Sequence, residues 1–322
     1  MKKSLLALAV LSAFAGAASA QSSVTLSGGI DVAVQRANGQ WNMSTGNSGR
    51  SNFTLSGTED LGGGMSAFFA MNHRFNAATG QSTSAYTTSS FWRQGWVGLK
   101  GSFGDVRLGR MLPVLQEFNG GYDPFGTETI GSTHAGGLNA GLAGSARLNN
   151  AIYYRSPSLG GLQVHANIAA GDNQVLTGSL PTSTFGQTAE RPIGLGAQYI
   201  AGPLNVAVAY DRNGRDEKTK GVYGSYNMGV AVLMAQYENG DINATTDQTV
   251  YSIGARIPMG ASTIKVGYRN NSDAEQKKFG LGLDYSLSKR TIVYADVAKQ
   301  SGDGFSTAAK KAQFDVGLWH KF

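Results

Sequence analysis

The chain of 322 residues holds 45 glycines and no cysteine, with 27 basic against 21 acidic side chains. Charged residues make up 15%, well under the roughly 25% of an ordinary globular chain, while glycine runs at about twice its usual share. A disulfide scaffold and a zinc-thiolate site are thereby excluded, and the slight basic excess, with no Lys/Arg block, gives no footprint for nucleic acid.

Residues 1–20 combine Lys2 and Lys3, an apolar stretch from Leu5 to Ala15, and Ala18-Ser19-Ala20 ahead of Gln21. That order reads as a secretory signal peptide, because the apolar stretch is too short to span a bilayer and polar residues follow it. The mature chain is then expected to be 21–322. Nowhere else do about eighteen apolar residues follow one another, so no helical membrane span is expected. Glycine interrupts almost every helical candidate.

Period-two alternation takes their place. From Val24 onward, Val24, Leu26, Ile30, Val32 and Val34 oppose Thr25, Ser27, Asp31 and Gln35. The pattern returns at Leu162, Val164 and Ile168, at Leu204, Val206 and Val208, at Ile264, Val266 and Tyr268, and at Phe279, Leu281 and Leu283. About sixteen such segments are expected, each with one apolar and one small or polar face. Short Gly/Pro turns such as Leu61-Gly62-Gly63-Gly64 and Ala201-Gly202-Pro203 alternate with longer polar linkers at 38–49, 78–89, 171–190, 213–219, 240–247, 271–276 and 301–311. This is an up-and-down antiparallel meander. Its polar face carries Arg256, Lys265, Arg269, Asp284 and Asp315, too many charges for a dry core. Aromatic residues end many apolar segments, and the last one, Phe314 to Phe322, stops on Phe322. The pattern therefore predicts an all-β transmembrane barrel with its oily face to lipid and a polar lumen.

The signal-peptide start and five stretches in order, QSSVTLSGGID, GTEDLGGGMSAFF, WVGLKGSFGDVRLGR, RLNNAIYYRSPSLGGLQVHA and the closing VGLWHKF, resemble the Gram-negative general porins, especially those of beta-proteobacteria, and EFNGGYD resembles the acidic loop tip of that family. The resemblance implies a sixteen-stranded antiparallel barrel in the outer membrane whose third long loop folds inward. It also implies a homotrimer surrounded by outer-membrane lipid and lipopolysaccharide, with each water-filled channel passing small hydrophilic solutes and ions by diffusion. No cofactor and no metal is implied. A terminal Phe of this kind, here Phe322, is read by the machinery that assembles such barrels.

Some 38 residues separate the strand ending near Arg110 from the one starting near Asn149, a linker long enough to be functional. By the resemblance, Glu117 and Asp123 form the acidic side of a constriction. Arg74, Arg93 and Arg155 match the opposing arginine wall. Arg74 shares a polar face with Asn72 and Asn76, while Arg93 is placed on a face with Gly95, Val97 and Leu99, opposite Trp96. Asn52 stands where the pattern has a wall arginine, and Arg50 on the same face is expected to carry that charge toward the outer mouth. Such a set predicts mild anion preference, weakened by salt screening. A substrate-specific channel, with Phe118, Tyr122 and Phe125 as its aromatic track, and a non-conducting adhesin or structural barrel are the alternatives. Four histidines (His73, His134, His165 and His320), with no G-x-S-x-G elbow, HExxH or P-loop, make no case for an enzyme.

Overall fold

The computed structural model describes residues 23–44, 51–82, 91–127, 129–134, 147–170, 191–214, 216–243 and 246–322. Residues 1–20, expected as a signal peptide, and Arg50 lie outside them. The chain opens with β1 (Ser23–Ala37), β2 (Gln40–Ser44), β3 (Asn52–Gly62), β4 (Met65–Arg74), β5 (Gln94–Gly101) and β6 (Gly104–Met111). A short helix, α1 (Val114–Asn119), precedes β7 (Leu148–Arg155), β8 (Leu162–Ala169), β9 (Ile193–Ala201), β10 (Leu204–Arg212) and β11 (Lys218–Asn227). The remainder is β12 (Val232–Asn243), β13 (Thr246–Met259), β14 (Ser262–Asn271), β15 (Gln276–Ser286), β16 (Thr291–Ser301) and β17 (Gln313–Lys321).

Each strand from β3 onward pairs antiparallel with the next, and β17 returns to β1 with Gly29 opposite Lys321 and Arg36 opposite Phe314. On its other edge β1 meets β3 over Ser23–Gly29 and β2 over Ala33–Ala37. β2 and β3 therefore share one place in the wall, and seventeen strands close a sixteen-position barrel. The expected linker at 38–49 thus begins as strand: Asn38 and Gly39, both at positive φ, turn the chain and Gln40–Ser44 pairs back on β1. Likewise β12 and β13 extend through most of the linker expected at 240–247. In both places polar residues pair as strand, because the ladder bonds only main chain and tolerates polar side chains above the apolar band.

The faces divide as the alternation predicts. Val208 is 51% exposed on the outside of β10, whereas its neighbours Ala207 and Ala209 are buried inside. Asp31, Lys265, Asp296 and Asp315 point inward and are almost fully covered. Among the described residues no helix is long and apolar enough to cross a membrane; strands do the crossing, since a closed ladder satisfies every backbone group without water.

What covers the inward charges is the segment after β6. Pro113 leads into α1 and Gly120-Gly121 end it, so the helix is only six residues long. Its buried face, Val114, Leu115, Phe118 and Asn119, packs against β8 to β11. The free helical N–H groups of its first turn find acceptors on the wall: Val114 donates to Asn167 Oδ1 at 2.9 Å and Leu115 to Asp211 Oδ2 at 3.1 Å. Further along, Ile130 N donates to Asp315 Oδ2 at 3.3 Å. Glycines on the wall make the seat. A Cβ at Gly196 would strike Val114 and Phe118, one at Gly254 would strike Pro124, and one at Gly280 would overlap the Gly131 carbonyl. The segment is thus laid along the inner surface from β8 round to β17.

Candidate pore lining and constriction

The loop covers the wall from β8 round to β17 and also packs over Leu148, Ala151 and Tyr153 of β7; among the described residues the more open side runs from β3 to Lys100 on β5 and to Arg155 at the end of β7. On that open side the register stacks inward residues in rungs. One rung places Lys100 beside Asp105, Arg155 and His165, and the next places Gly98 beside Arg107, Tyr153 and Asn167. Asp105 joins the two rungs: its Oδ1 accepts from Arg107 Nε at 2.8 Å and its Oδ2 from Arg155 Nε at 2.7 Å. Arg107 lies among aromatic rings, with its guanidinium carbon 5.0 Å from the centroid of Trp96 and 5.4 Å from that of Tyr153. Such packing of the planar, delocalised guanidinium fixes the charge in place. Arg110, paired with Gly95 and so in register with the outward face, donates its Nε to the Trp92 carbonyl at 3.1 Å and its Nη1 to Asn149.

Glu117 sits on the exposed side of α1, with Oε1 3.8 Å from Arg107 Nη1. Acid and base thus face each other across the loop edge at the height of Arg107, the fourth residue of the eight in β6. Asp123 does otherwise. It is fully buried, and its carboxylate accepts from Thr127 N at 2.8 Å, Ser132 Oγ at 2.7 Å and Thr133 N at 3.2 Å. The expectation that Asp123 faces the channel is corrected: it ties the loop into a turn and presents no charge to the water. Arg256, on the covered wall, holds the same turn by donating to the Pro124 carbonyl at 2.5 Å and the Asp123 carbonyl at 3.2 Å.

Arg155 points inward, half-exposed, as its alternation with outward Tyr154 implies. Arg74 closes β4 on the face of Asn72, whose side-chain amide donates to Asn52 Oδ1 at 3.0 Å and Thr54 Oγ1 at 2.7 Å. Arg93 needs a correction. Val97 and Leu99 are exposed on the outer surface and Trp96 packs inside, so the face assigned to Arg93 is the lipid face. Arg93 stands in a bend just before β5, where strand parity no longer governs, and its N–H reaches the Asn72 carbonyl at 2.8 Å. The loop aromatics Phe118, Tyr122 and Phe125 are buried against the wall and form no track. Tyr122 donates to Asn205 Oδ1 at 2.8 Å, and burial pushes its phenol above the usual range, keeping that donor proton on. His165 meets Tyr153 OH at 2.7 Å and packs edge-to-face with Phe118. His73, on the outer face, stacks on Phe91 with ring centroids 3.9 Å apart.

Sequence reasoning passed over Lys100, Asp105 and Arg107. The signal was there: in GDVRLGR, Val106 and Leu108 alternate with Asp105 and Arg107, which puts both charges on the wet face.

The chain ends in a backbone clasp. Gly28 N donates to the Phe322 carbonyl at 3.1 Å, and Phe322 N donates to the Gly28 carbonyl at 3.0 Å.

Comparison with known proteins agrees with this architecture. An outer-membrane porin protein of Bordetella pertussis is 30% identical, with both chains covered in full. Outer membrane porin protein 32 of Delftia acidovorans is 33% identical over 97% of this chain and 93% of its own. Among solved structures, an anion-selective porin from Comamonas acidovorans superposes with a TM-score of 0.77 at 30% identity, covering 94% of this chain and all of the other. OmpT of Vibrio cholerae, at 14% identity and a TM-score of 0.69, shares the fold. A profile of the Gram-negative porins matches residues 7–304, and with these relatives it establishes that the chain belongs to that family.

Proposed function

We propose that this outer-membrane porin, a channel protein and not an enzyme, passes small hydrophilic solutes by diffusion with a preference for anions. One observation carries the reading: Arg74, Lys100, Arg107 and Arg155 on the inward faces of this wall outnumber the carboxylates set against them, Asp105 and the exposed Glu117. A cluster of one sign lining a narrow wet passage raises the local concentration of the opposite ion. The anion-selective relative from Comamonas acidovorans supports the same direction. Asp123 is not among the acids of this passage, and Arg93 is proposed only as a charge near the outer mouth.

Residues 1–20 act as an export signal, three copies of 21–322 assemble in lipid and lipopolysaccharide, and Phe322 is presented to the assembly machinery. The experiment is a planar-bilayer recording of refolded protein in a KCl gradient. A reversal potential of anion sign is expected; cation sign would overturn the preference, and absence of conductance would favour an adhesin or structural barrel.

A further inference from the structure

β4 to β8 carry basic side chains at Arg74, Lys100, Arg107, Arg110 and Arg155, yet Asp105 is their only acidic residue. It is buried to 5% exposure, and each carboxylate oxygen is taken by a different guanidinium. Lys100, its cross-strand partner on the other side, is exposed with its Nζ 5.5 Å from the Phe68 ring centroid, and it makes no ion pair with any described carboxylate. Three cations therefore surround one fixed anion at and just below the level of Glu117.

We infer that Asp105 is the specificity-setting residue of this wall: a resident counter-anion that occupies the place between Arg107 and Arg155 where a permeating anion would otherwise lodge. The reasoning rests on the anion-preferring reading above and deepens it. Conduction requires a site attractive enough to enter and weak enough to leave. Two guanidiniums side by side with a lysine on the neighbouring strand make a strong trap for an oxyanion, since each guanidinium offers forked donors. The Asp105 carboxylate fills the inner donors with its own oxygens and cancels one of the three charges. What remains toward the water is a shallower well that selects anions and lets them go.

The test uses the full-length refolded channel. Asp105→Asn is expected to raise the anion-to-cation permeability ratio in KCl at least about two-fold, and to make inorganic phosphate block the chloride current at lower concentration than in the unaltered channel. Asp105→Glu, which keeps the charge, is expected to stay near the original ratio. Lys100→Glu adds a second carboxylate to the same rung at an exposed position and is expected to lower the ratio, which gives a readout even if Asp105→Asn fails to insert. Inserted Asp105→Asn channels with an unchanged ratio and no added phosphate block overturn the assignment, as does a Lys100→Glu channel with an unaltered ratio. An unaltered channel that prefers cations would instead refute the functional reading, so the two failures are distinguishable.

Discussion

Two sides of one lumen are built from the same kind of strand and treated in opposite ways. On β8 to β17 several inward charges hold the loop: Asp211 and Asp315 accept from its backbone, and Arg256 donates to it. Lys265, almost fully covered, is paired with Asp284 at 2.6 Å and Asp296 at 3.2 Å. On β4 to β7 the charges are mostly basic, a single carboxylate, Asp105, ties Arg107 to Arg155, and the loop meets this side through α1, where Glu117 lies 3.8 Å from Arg107. Charge in a porin lumen is therefore not by itself charge at the pore; what decides is whether a segment of the chain has claimed it.

The hardest way to break this contrast is to unseat the loop. Gly280→Val places side-chain atoms where the Gly131 carbonyl lies, and backbone cannot give way as a flexible side chain does. We expect about 1–3 kcal/mol of destabilisation and the largest change in single-channel conductance of any substitution considered, because the covered wall would be laid open. Arg107→Glu attacks the basic side. A two-unit change of charge beside the passing ion alters its energy by on the order of 1 kcal/mol, and the reversal potential should move toward cations. A finer contrast sets Asp123→Asn against Glu117→Gln. Loss of the buried carboxylate should cost about 1–3 kcal/mol in denaturant unfolding with little change in selectivity, since the amide keeps one acceptor oxygen and sets an NH2 donor against the donors of the other. Glu117→Gln should leave stability unchanged and shift selectivity slightly toward anions. Smallest of all, raising KCl from about 0.1 to about 1 M shortens the screening length from about 10 to about 3 Å and should bring the permeability ratio close to one.

Much of this was legible in the residues. Alternation alone separates Val206 and Val208 from their buried neighbours, and short Gly/Pro turns give the meander. Arg155 is assigned to the lumen by the exposed Tyr154 beside it. The misread residues share a cause. Arg93 lies one residue outside its strand, where period two stops carrying information. Asp123 sits in a loop whose docking depends on wall residues scarcely related in sequence position, such as Gly254 and Gly267, so its burial has no local signal. Asp105 was visible as an inward acid, but its double engagement needs the register of β6 against β7, which pattern alone does not supply.

The seam between β1 and β17 has a kinetic consequence. It joins the first described strand to the last, so its hydrogen bonds wait until nearly the whole polypeptide is available. Until then the sheet has two raw margins, each a template for pairing with another chain. Contacts so distant along the backbone form slowly. A nascent porin of this design thus passes through a sticky, open-ended stage that ends only when Phe322 pairs with Gly28.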